Sequence, residues 1–170
     1  MKDFQALVSS YQDFPRKGIL FKDLLGIIQD PDSFKELIYM MSENEIIKNC
    51  EAIASIAARG FIFGSPIAFN TGKPMVVLRK PGKLPGDLKT ANYELEYGTN
   101  SLSIQKSSIE KFSSFAIVDD LLATGGTANC AYSLLKSLNK EVSGISVVAE
   151  LVDLNARQNL KMDIVSQIKL

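Results

Sequence analysis

Hydrophobic residues fall into short continuous runs along the 170-residue chain, and polar turns separate these runs. Four runs have the length and apolar content of buried strands, and they cover residues 52–57, 75–78, 115–118 and 144–151. Apolar residues repeat at helical spacing in residues 31–44, which begin with Pro31 after Asp30, and in residues 128–138. A shorter helix is expected at residues 65–69. Strands that alternate with helices predict an α/β fold, a mainly parallel twisted sheet with helices on both faces.

Polar and glycine-containing segments follow three of the predicted strands. Residues 58–60 come after the first strand, Arg79 and Lys80 after the second, and Asp119 and Asp120 after the third. Because the carboxyl ends of parallel strands lie along one edge of a sheet, these side chains are expected to meet there. Ligands bind at that edge in open α/β sheets, so this edge is the predicted site.

The composition excludes several classes of function. The chain has 19 basic residues, 19 acidic residues and no histidine. A Ser-His or Cys-His nucleophile and a histidine base are therefore impossible, and acid and base chemistry falls to carboxylates, lysine or tyrosine. The formal net charge of zero supplies no overall field toward nucleic acid or anionic lipid, so neither partner is expected.

The cysteines and the hydropathy of the chain indicate where the protein works. Cys50 and Cys130 have no Cys-x-x-Cys spacing, which predicts free thiols in a reducing compartment and excludes structural zinc. No apolar run approaches the length of about 18 residues that a membrane span needs, and the first residues do not form a signal peptide. The prediction is a cytoplasmic protein with a single domain over residues 1–170.

One segment combines the parts of a phosphate site. Residues 115–127 read FAIVDDLLATGGT, which is an apolar strand, two acids, a turn and the start of a helix. Gly125 and Gly126 permit positive φ and a close approach of the backbone, and Thr124 and Thr127 offer hydroxyl donors. The start of the following helix presents unpaired N–H groups and a favourable dipole. This combination is typical of a site for a phosphate monoester.

The two acids of the same segment suit a different part of the ligand. Ionised Asp119 and Asp120 repel phosphate but accept hydrogen bonds from two neighbouring sugar hydroxyls, so a ribose 5-phosphate fits both ends. An acidic pair or a Gly-Gly turn alone is more often a plain strand end or tight turn. Neither the Walker A motif nor the Gly-x-Gly-x-x-Gly motif of dinucleotide sites occurs. The combined segment resembles the phosphoribosyl pyrophosphate motif of type I phosphoribosyltransferases.

Further segments in the same order resemble the adenine phosphoribosyltransferase family over nearly the whole chain. They are the arm DFPRKGILFKD at 13–23, the loop ARGF at 58–61, the basic loop RKPGKLPG at 79–86 and LEYG at 95–98. The resemblance implies the type I phosphoribosyltransferase fold, with a small N-terminal base-binding hood in about residues 1–30. It also implies a flexible catalytic loop and hairpin in about residues 80–105, and a cytoplasmic homodimer.

The implied reaction converts adenine and phosphoribosyl pyrophosphate to AMP and pyrophosphate. Its transition state resembles an oxocarbenium ion and expels an anionic leaving group, so the site needs cations. By the resemblance, Arg59 contributes to catalysis, and Arg79 and Lys83 bind the substrate's phosphates. Magnesium is the implied cofactor, held through the substrate's oxygens with no direct protein ligand. A solvated surface run is the other interpretation of Arg79, Lys80 and Lys83; it would be preferred for an isolated basic cluster, but not at this place in an ordered set of matching segments.

Proton transfer is assigned to the hairpin, again by resemblance. Glu96 is the candidate general acid or base, and Tyr97 positions it. Ala123 occupies the position where relatives that use 6-oxopurines usually carry an acid, so it lies near the base without titrating. An exposed hairpin glutamate is the alternative for Glu96.

The arm is expected to bind adenine. Phe21 is the candidate stacking ring, main-chain groups of Leu20 and Lys22 read the edge of the purine, and Leu121 packs nearby. An ordinary core role is the alternative for Phe21. Ala57 replaces a residue that is usually acidic in the family, and this puts in doubt how the first pyrophosphate loop is held.

Two other functions stay open on the sequence alone. One is a phosphoribosyltransferase for another nucleobase. The other is a non-catalytic regulator that senses phosphoribosyl pyrophosphate and binds nucleic acid, which the zero net charge and the intact basic loop disfavour.

Overall fold

A computed structural model of the chain describes residues 2–95 and 98–170. The strands are β1 (Ser9–Gln12), β2 (Leu20–Asp23), β3 (Ala52–Ile56), β4 (Met75–Leu78), β5 (Leu88–Leu95), β6 (Gly98–Gln105), β7 (Ser114–Leu122), β8 (Glu141–Glu150) and β9 (Ile164–Lys169). The α-helices are α1 (Leu25–Gln29), α2 (Pro31–Glu43), α3 (Glu45–Lys48), α4 (Gly60–Thr71), α5 (Lys106–Ile109), α6 (Gly126–Lys136) and α7 (Ala156–Asn159). Short 3-10 turns cover Gln5–Leu7 and Val152–Leu154.

The central sheet has five parallel strands in the order β4-β3-β7-β8-β9. From β3 the chain crosses to β4 on one side, and from β7 it proceeds to β8 and β9 on the other. The strand order therefore reverses between β3 and β7. Connections that leave neighbouring strands in opposite directions open a crevice at their carboxyl ends. The predicted mainly parallel sheet is confirmed. The crevice at its switch point is bordered by residues 57–60, after β3, and by residues 119–127, at the end of β7 and after it.

The core consists of two apolar clusters, one on each face of the sheet, because successive strand residues point to opposite faces. Ile53 and Val118 pack toward α1 to α4, whereas Ala54 and Ile117 pack toward the other face. That second face is covered by α6 together with residues of β6 and α5. Helices were expected on both faces, and the second face differs in that a helix and the β5–β6 hairpin share it.

Helix α2 follows the sequence prediction closely. Its start is fixed by Asp30, whose side chain accepts hydrogen bonds from the backbone N–H groups of Asp32 and Ser33, with Pro31 in the first turn. Its buried side includes Met41. No helix in residues 2–95 and 98–170 combines the length and apolar character needed to cross a bilayer.

Three elements differ from the sequence expectations. The sequence pattern predicts no strand in the arm, but β1 and β2 form an antiparallel hairpin there, in which Ser10 pairs with Lys22. Helix α4 begins at Gly60 instead of residue 65. Strand β7 continues past its apolar run to Leu122, because β8 runs beside it and pairs with it as far as Glu150. Asp119 and Asp120 are consequently strand residues, and a rigid ladder fixes their backbone.

Candidate functional site

A cleft of about 620 Å³ opens at the switch point between β3 and β7. Eight of the residues predicted from the sequence line it: Arg59, Arg79, Lys83, Asp119, Asp120, Leu121, Ala123 and Thr127. Ala57, Ala58 and Lys80 complete much of the wall. The structure thus brings residues from four separate loops and strands to one edge of the sheet, where the parallel topology predicts a ligand.

A second, small pocket of about 80 Å³ lies at the turn between β7 and α6. The predicted phosphate residues line it together, namely Thr124, Gly125, Gly126 and Thr127, with Ala123 beside them. Gly125 has φ of 88°, which the absence of a side chain permits, and the 11-residue helix α6 begins directly after it. The positive end of this helix therefore faces a pocket suited to a small anion.

The two carboxylates of β7 lie between this pocket and the cleft. Asp119 Oδ1 accepts a hydrogen bond of 2.9 Å from the backbone N–H of Asp120. Burial, and next the charge of Asp120, raise the pKa of Asp119 well above its usual range. Burial also raises the pKa of Asp120, while Arg59 opposes that shift. Burial thus makes both carboxylates costly to ionise, and hydroxyl donors or a cation on a ligand would offset that cost.

Arg59 joins the carboxylates to the arm. Its Nε lies 2.7 Å from Oδ2 of Asp120 as an ion pair. The N–H is not aimed as a hydrogen bond, since the same oxygen is buried without a hydrogen-bond partner. The guanidinium carbon of Arg59 also lies 5.2 Å from the ring centroid of Phe21, a cation–π distance. One arginine therefore contacts both the predicted sugar-binding residues and the predicted adenine-binding ring.

The loop that carries Arg59 fits tightly against the end of β7. A side-chain carbon at Gly60 would lie 2.9 Å from Oδ1 of Asp119 and 3.1 Å from the carbonyl oxygen of Val118. Glycine is required here, since any larger residue pushes α4 away from the carboxylates. The peptide bond between Ala57 and Ala58 is cis. The requirement for Gly60 follows from a contact between distant segments, which the sequence does not reveal.

The basic loop after β4 is attached at several points. Arg79 forms an antiparallel bridge with Ser103 of β6, and its Nη1 donates to the carbonyl oxygen of Lys83 at 3.2 Å. Its Nε is buried without a hydrogen-bond partner. Arg79 thus shapes the loop as well as lining the cleft. Lys80 was not predicted as a site residue, although its place beside Arg79 in a basic run was a signal for it.

A third cavity, of about 550 Å³, lies between the arm and the edge of the sheet. The predicted base-binding residues Leu20, Phe21, Lys22 and Leu121 line it, with Ala123 and residues near the carboxyl end of β8. Leu121 and Ala123 also line the cleft and the phosphate pocket. All three cavities therefore meet at these two residues.

One aromatic ring, that of Phe21, lines this third cavity, and a second ring packs against it from outside. Phe21 is half-buried, and Phe14 contacts it edge to face with centroids 5.1 Å apart. Phe14 is 53% exposed, so its ring is accessible at the surface beside Phe21. The sequence places Phe14 in the arm without a role of its own, and its contact with Phe21 is visible only in the hairpin. Strand β2 pairs with β1 alone among the described strands, which leaves its other edge for a ligand.

The two hairpin predictions, Glu96 and Tyr97, lie outside the described residues. The strands that flank them are described, and Leu95 pairs with Gly98 across the hairpin.

The fold and the three adjoining cavities define a phosphoribosyltransferase. The sequence profile of the phosphoribosyl transferase domain matches residues 28–167. An adenine phosphoribosyltransferase of Prochlorococcus marinus (strain MIT 9515) is 61% identical over 162 residues, 95% of each chain. The chain belongs to the adenine phosphoribosyltransferase family.

Solved structures of the family share the whole fold. The adenine phosphoribosyltransferase of Thermoanaerobacter pseudethanolicus superimposes with a TM-score of 0.91 at 41% identity, covering 99% of this chain and 98% of its own. That of Saccharomyces cerevisiae superimposes with a TM-score of 0.89 at 36% identity over 96% of both chains. It was solved in complex with D-2,5-dideoxy-2,5-imino-altritol 1,6-bisphosphate and adenine. The predicted type I phosphoribosyltransferase fold is therefore confirmed.

Proposed function

We propose that this chain catalyses purine salvage by transferring the 5-phosphoribosyl group of phosphoribosyl pyrophosphate to adenine, which yields AMP and pyrophosphate. The observation that carries the proposal is the meeting of three cavities at Leu121 and Ala123. One is suited to a phosphate, one is rich in cations, and one is apolar and aromatic. These are the chemical requirements of a sugar 5-phosphate, a pyrophosphate and a purine joined at one carbon atom.

The donor's sugar end is assigned to β7 and the turn after it. Residues 124–127 and the start of α6 bind the 5′-phosphate through backbone N–H groups and hydroxyls. Asp119 and Asp120 accept hydrogen bonds from the two ring hydroxyls. Burial of these carboxylates strengthens their interactions with bound hydroxyls because the local dielectric is low.

The pyrophosphate end is assigned to the cleft. Arg59, Arg79 and Lys83 face the negative charge that develops on the leaving group as the bond to the anomeric carbon breaks. Lys80 lines the same cleft and adds a further cation. For the phosphates to recruit Arg59, its ion pair with Asp120 must loosen, which leaves Asp120 available to the sugar.

Adenine is assigned to the third cavity. The ring of Phe21 stacks on the purine, Leu121 packs near it, and main-chain groups of Leu20 and Lys22 on the open edge of β2 contact its polar rim. A purine nitrogen then attacks the anomeric carbon from the side opposite the leaving group. Glu96, positioned by Tyr97, takes up the proton that this nitrogen loses.

Magnesium is the proposed cofactor. The cleft suits a metal that arrives on the donor, because its arginines and lysines bind phosphate while the two buried carboxylates share the single close cation Arg59 among the described residues. Asp119 and Asp120 would hold such an ion indirectly, by binding the sugar hydroxyls that accompany it. Magnesium supplies charge neutralisation of the leaving pyrophosphate.

A cytoplasmic homodimer completes the proposal. Its support is the family resemblance and the two free cysteines, Cys50 and Cys130, which suit a reducing compartment. Light scattering on the purified protein tests the dimer, and fractionation of the source cells tests the location.

A nucleobase panel tests the reaction. Adenine, hypoxanthine, guanine, xanthine, orotate and uracil are offered separately with phosphoribosyl pyrophosphate and magnesium, and release of pyrophosphate is measured. We expect adenine to give the highest rate. Preference for another base contradicts the specificity, and donor binding without release from any base contradicts the enzyme.

A further inference from the structure

An ion pair between a buried glutamate and a half-exposed arginine lies near the phosphate turn and has no part in the proposed reaction. Glu150, the last residue of β8, is 3% exposed. Its two carboxylate oxygens accept hydrogen bonds from Nε and Nη2 of Arg157 at 2.8 and 2.7 Å, a bidentate arrangement. Ser166 of β9 donates a further hydrogen bond of 2.9 Å to Glu150. The pair therefore joins α7 to two strands of the sheet.

The element held by this pair has little stability of its own. Helix α7 spans four residues, Ala156–Asn159, and no side chain caps its start. So short a helix does not form alone in water, because one turn does not repay its nucleation. Arg157 fixes it twice, since Nη1 also donates to the carbonyl oxygen of Ile164 at 3.3 Å. Hydrogen bonds from Arg157 lower the pKa of Glu150, so the carboxylate stays ionised.

Ala156, which precedes Arg157, and Leu160, which follows α7, lie against the phosphate turn at Gly125. Ala156 is 1% exposed and Leu160 9% exposed, and both belong to the core cluster that includes α6. A methyl group at Gly125 would lie 3.3 Å from Cγ of Leu160 and 3.4 Å from Cβ of Ala156. The backbone of the turn, with its positive φ at Gly125, thus rests on a wall formed by these two side chains.

We propose that Glu150 and Arg157 are positioning residues for the 5′-phosphate of the donor, acting through α7 on the shape of the Gly125 turn. Backbone N–H groups bind phosphate well only when they converge on one point, and a glycine turn does not hold that shape unaided. The ion pair fixes α7, and Ala156 and Leu160 of that region support the turn. This inference rests on the proposed function, because it assigns the turn to a phosphate.

The test measures binding at the two ends of the donor separately. Dissociation constants for ribose 5-phosphate and for pyrophosphate are determined by calorimetry for wild type, Arg157→Lys, Glu150→Gln and Leu160→Ala. Arg157→Lys keeps the positive charge but loses the bidentate hydrogen bonds to Glu150. Leu160→Ala keeps the ion pair but removes the side chain that packs against the turn at Gly125. Lys48→Gln is the control, because it breaks the exposed pair of Lys48 with Glu43.

We expect each of the three variants to weaken ribose 5-phosphate binding by about tenfold or more, since small displacements of binding groups have large effects. Pyrophosphate binding should stay within about twofold of wild type, as should both constants in Lys48→Gln. The double variant Arg157→Lys, Leu160→Ala should lose less affinity for ribose 5-phosphate than the product of the two single losses, because both substitutions act on one turn. A purely structural role would lower the melting temperature without separating the two ligands.

The inference is overturned if Arg157→Lys and Leu160→Ala bind ribose 5-phosphate as wild type does, or weaken both ligands equally. Either variant alone decides the question if the other fails to fold. Wild-type protein that binds pyrophosphate but not ribose 5-phosphate contradicts the proposed function itself, which separates the two failures.

Discussion

Asp119 and Asp120 are two buried acidic groups, and in the unliganded protein few charges and hydrogen bonds offset the cost of burying their ionised forms. Burial and the charge of Asp120 raise the pKa of Asp119, and among the described residues Arg59 alone supplies Asp120 with a close positive charge. Strained electrostatics of this kind are common where a ligand later supplies the missing partners. The pair should therefore reduce the stability of the free protein while it serves donor binding.

Replacement of Asp119 by Asn is expected to raise the melting temperature of the free protein and to weaken donor binding. A raised pKa means that the carboxyl's contribution to stability is full below the ordinary value of about 4 and is lost as the pH rises through the raised pKa. An asparagine side chain does not ionise, so the Asp119→Asn variant does not lose this stability as the pH rises. Its gain over wild type should grow as the pH rises above about 4, by about 2–4 °C for each kcal/mol relieved.

Thermal unfolding across this pH range checks the prediction, with Glu110→Gln as the control on an exposed carboxylate. A melting temperature of Asp119→Asn that stays below wild type at pH 7 contradicts the assigned burial effect. Donor affinity unchanged by the substitution contradicts the assigned sugar contact.

Glu96 is tested by kinetics, since its assignment comes from the sequence. Glu96→Gln should lower kcat by about 100-fold or more, because an amide cannot take up a proton. The KM for the donor should change by less than about threefold, since the donor's phosphates are bound elsewhere. Glu94→Gln on the same hairpin is the control, and an unchanged kcat in Glu96→Gln removes the residue from proton transfer.

The basic loop and the β5–β6 hairpin are connected as one unit. Backbone hydrogen bonds join Arg79 to Ser103 at 3.0 and 2.7 Å in both directions. At the far end of the loop, Gln105 donates to the carbonyl oxygen of Pro85 at 3.1 Å, and Lys106 pairs with Asp87 at 3.0 Å. The resemblance predicts a flexible loop, and these contacts define a docked position from which such movement starts.

Loss of the Gln105 contact should release the loop. In Gln105→Ala, trypsin is expected to cleave after Lys83 at least about threefold faster than in wild type, because local opening becomes easier. Phosphoribosyl pyrophosphate should restore protection in both proteins by engaging Lys83. Gln29→Ala, on the exposed side of α1, is the control. Equal cleavage rates in Gln105→Ala and wild type would contradict the claim that the hydrogen bond from Gln105 to Pro85 holds the loop.

Local sequence patterns predicted four strands of the central sheet, helix α2 and the turn at Gly125, because periodicity and glycine placement act over a few residues, but they did not predict β9. The extension of β7 to Leu122 was not predictable, since it depends on pairing with β8. The contact of Arg59 with Phe21 and the bond of Ser166 to Glu150 join distant segments, so no local pattern signals them. The resemblance supplied roles for Glu96 that geometry does not address.

In the whole molecule, three cavities meet around Leu121 and Ala123 at one edge of the sheet. The central claim is that these cavities together bind one ligand. A crystal structure of the protein with bound AMP tests this arrangement. We predict the phosphate against residues 124–127, the sugar hydroxyls on Asp119 and Asp120, and the purine beside Phe21. An AMP molecule whose phosphate lies away from that turn contradicts the account.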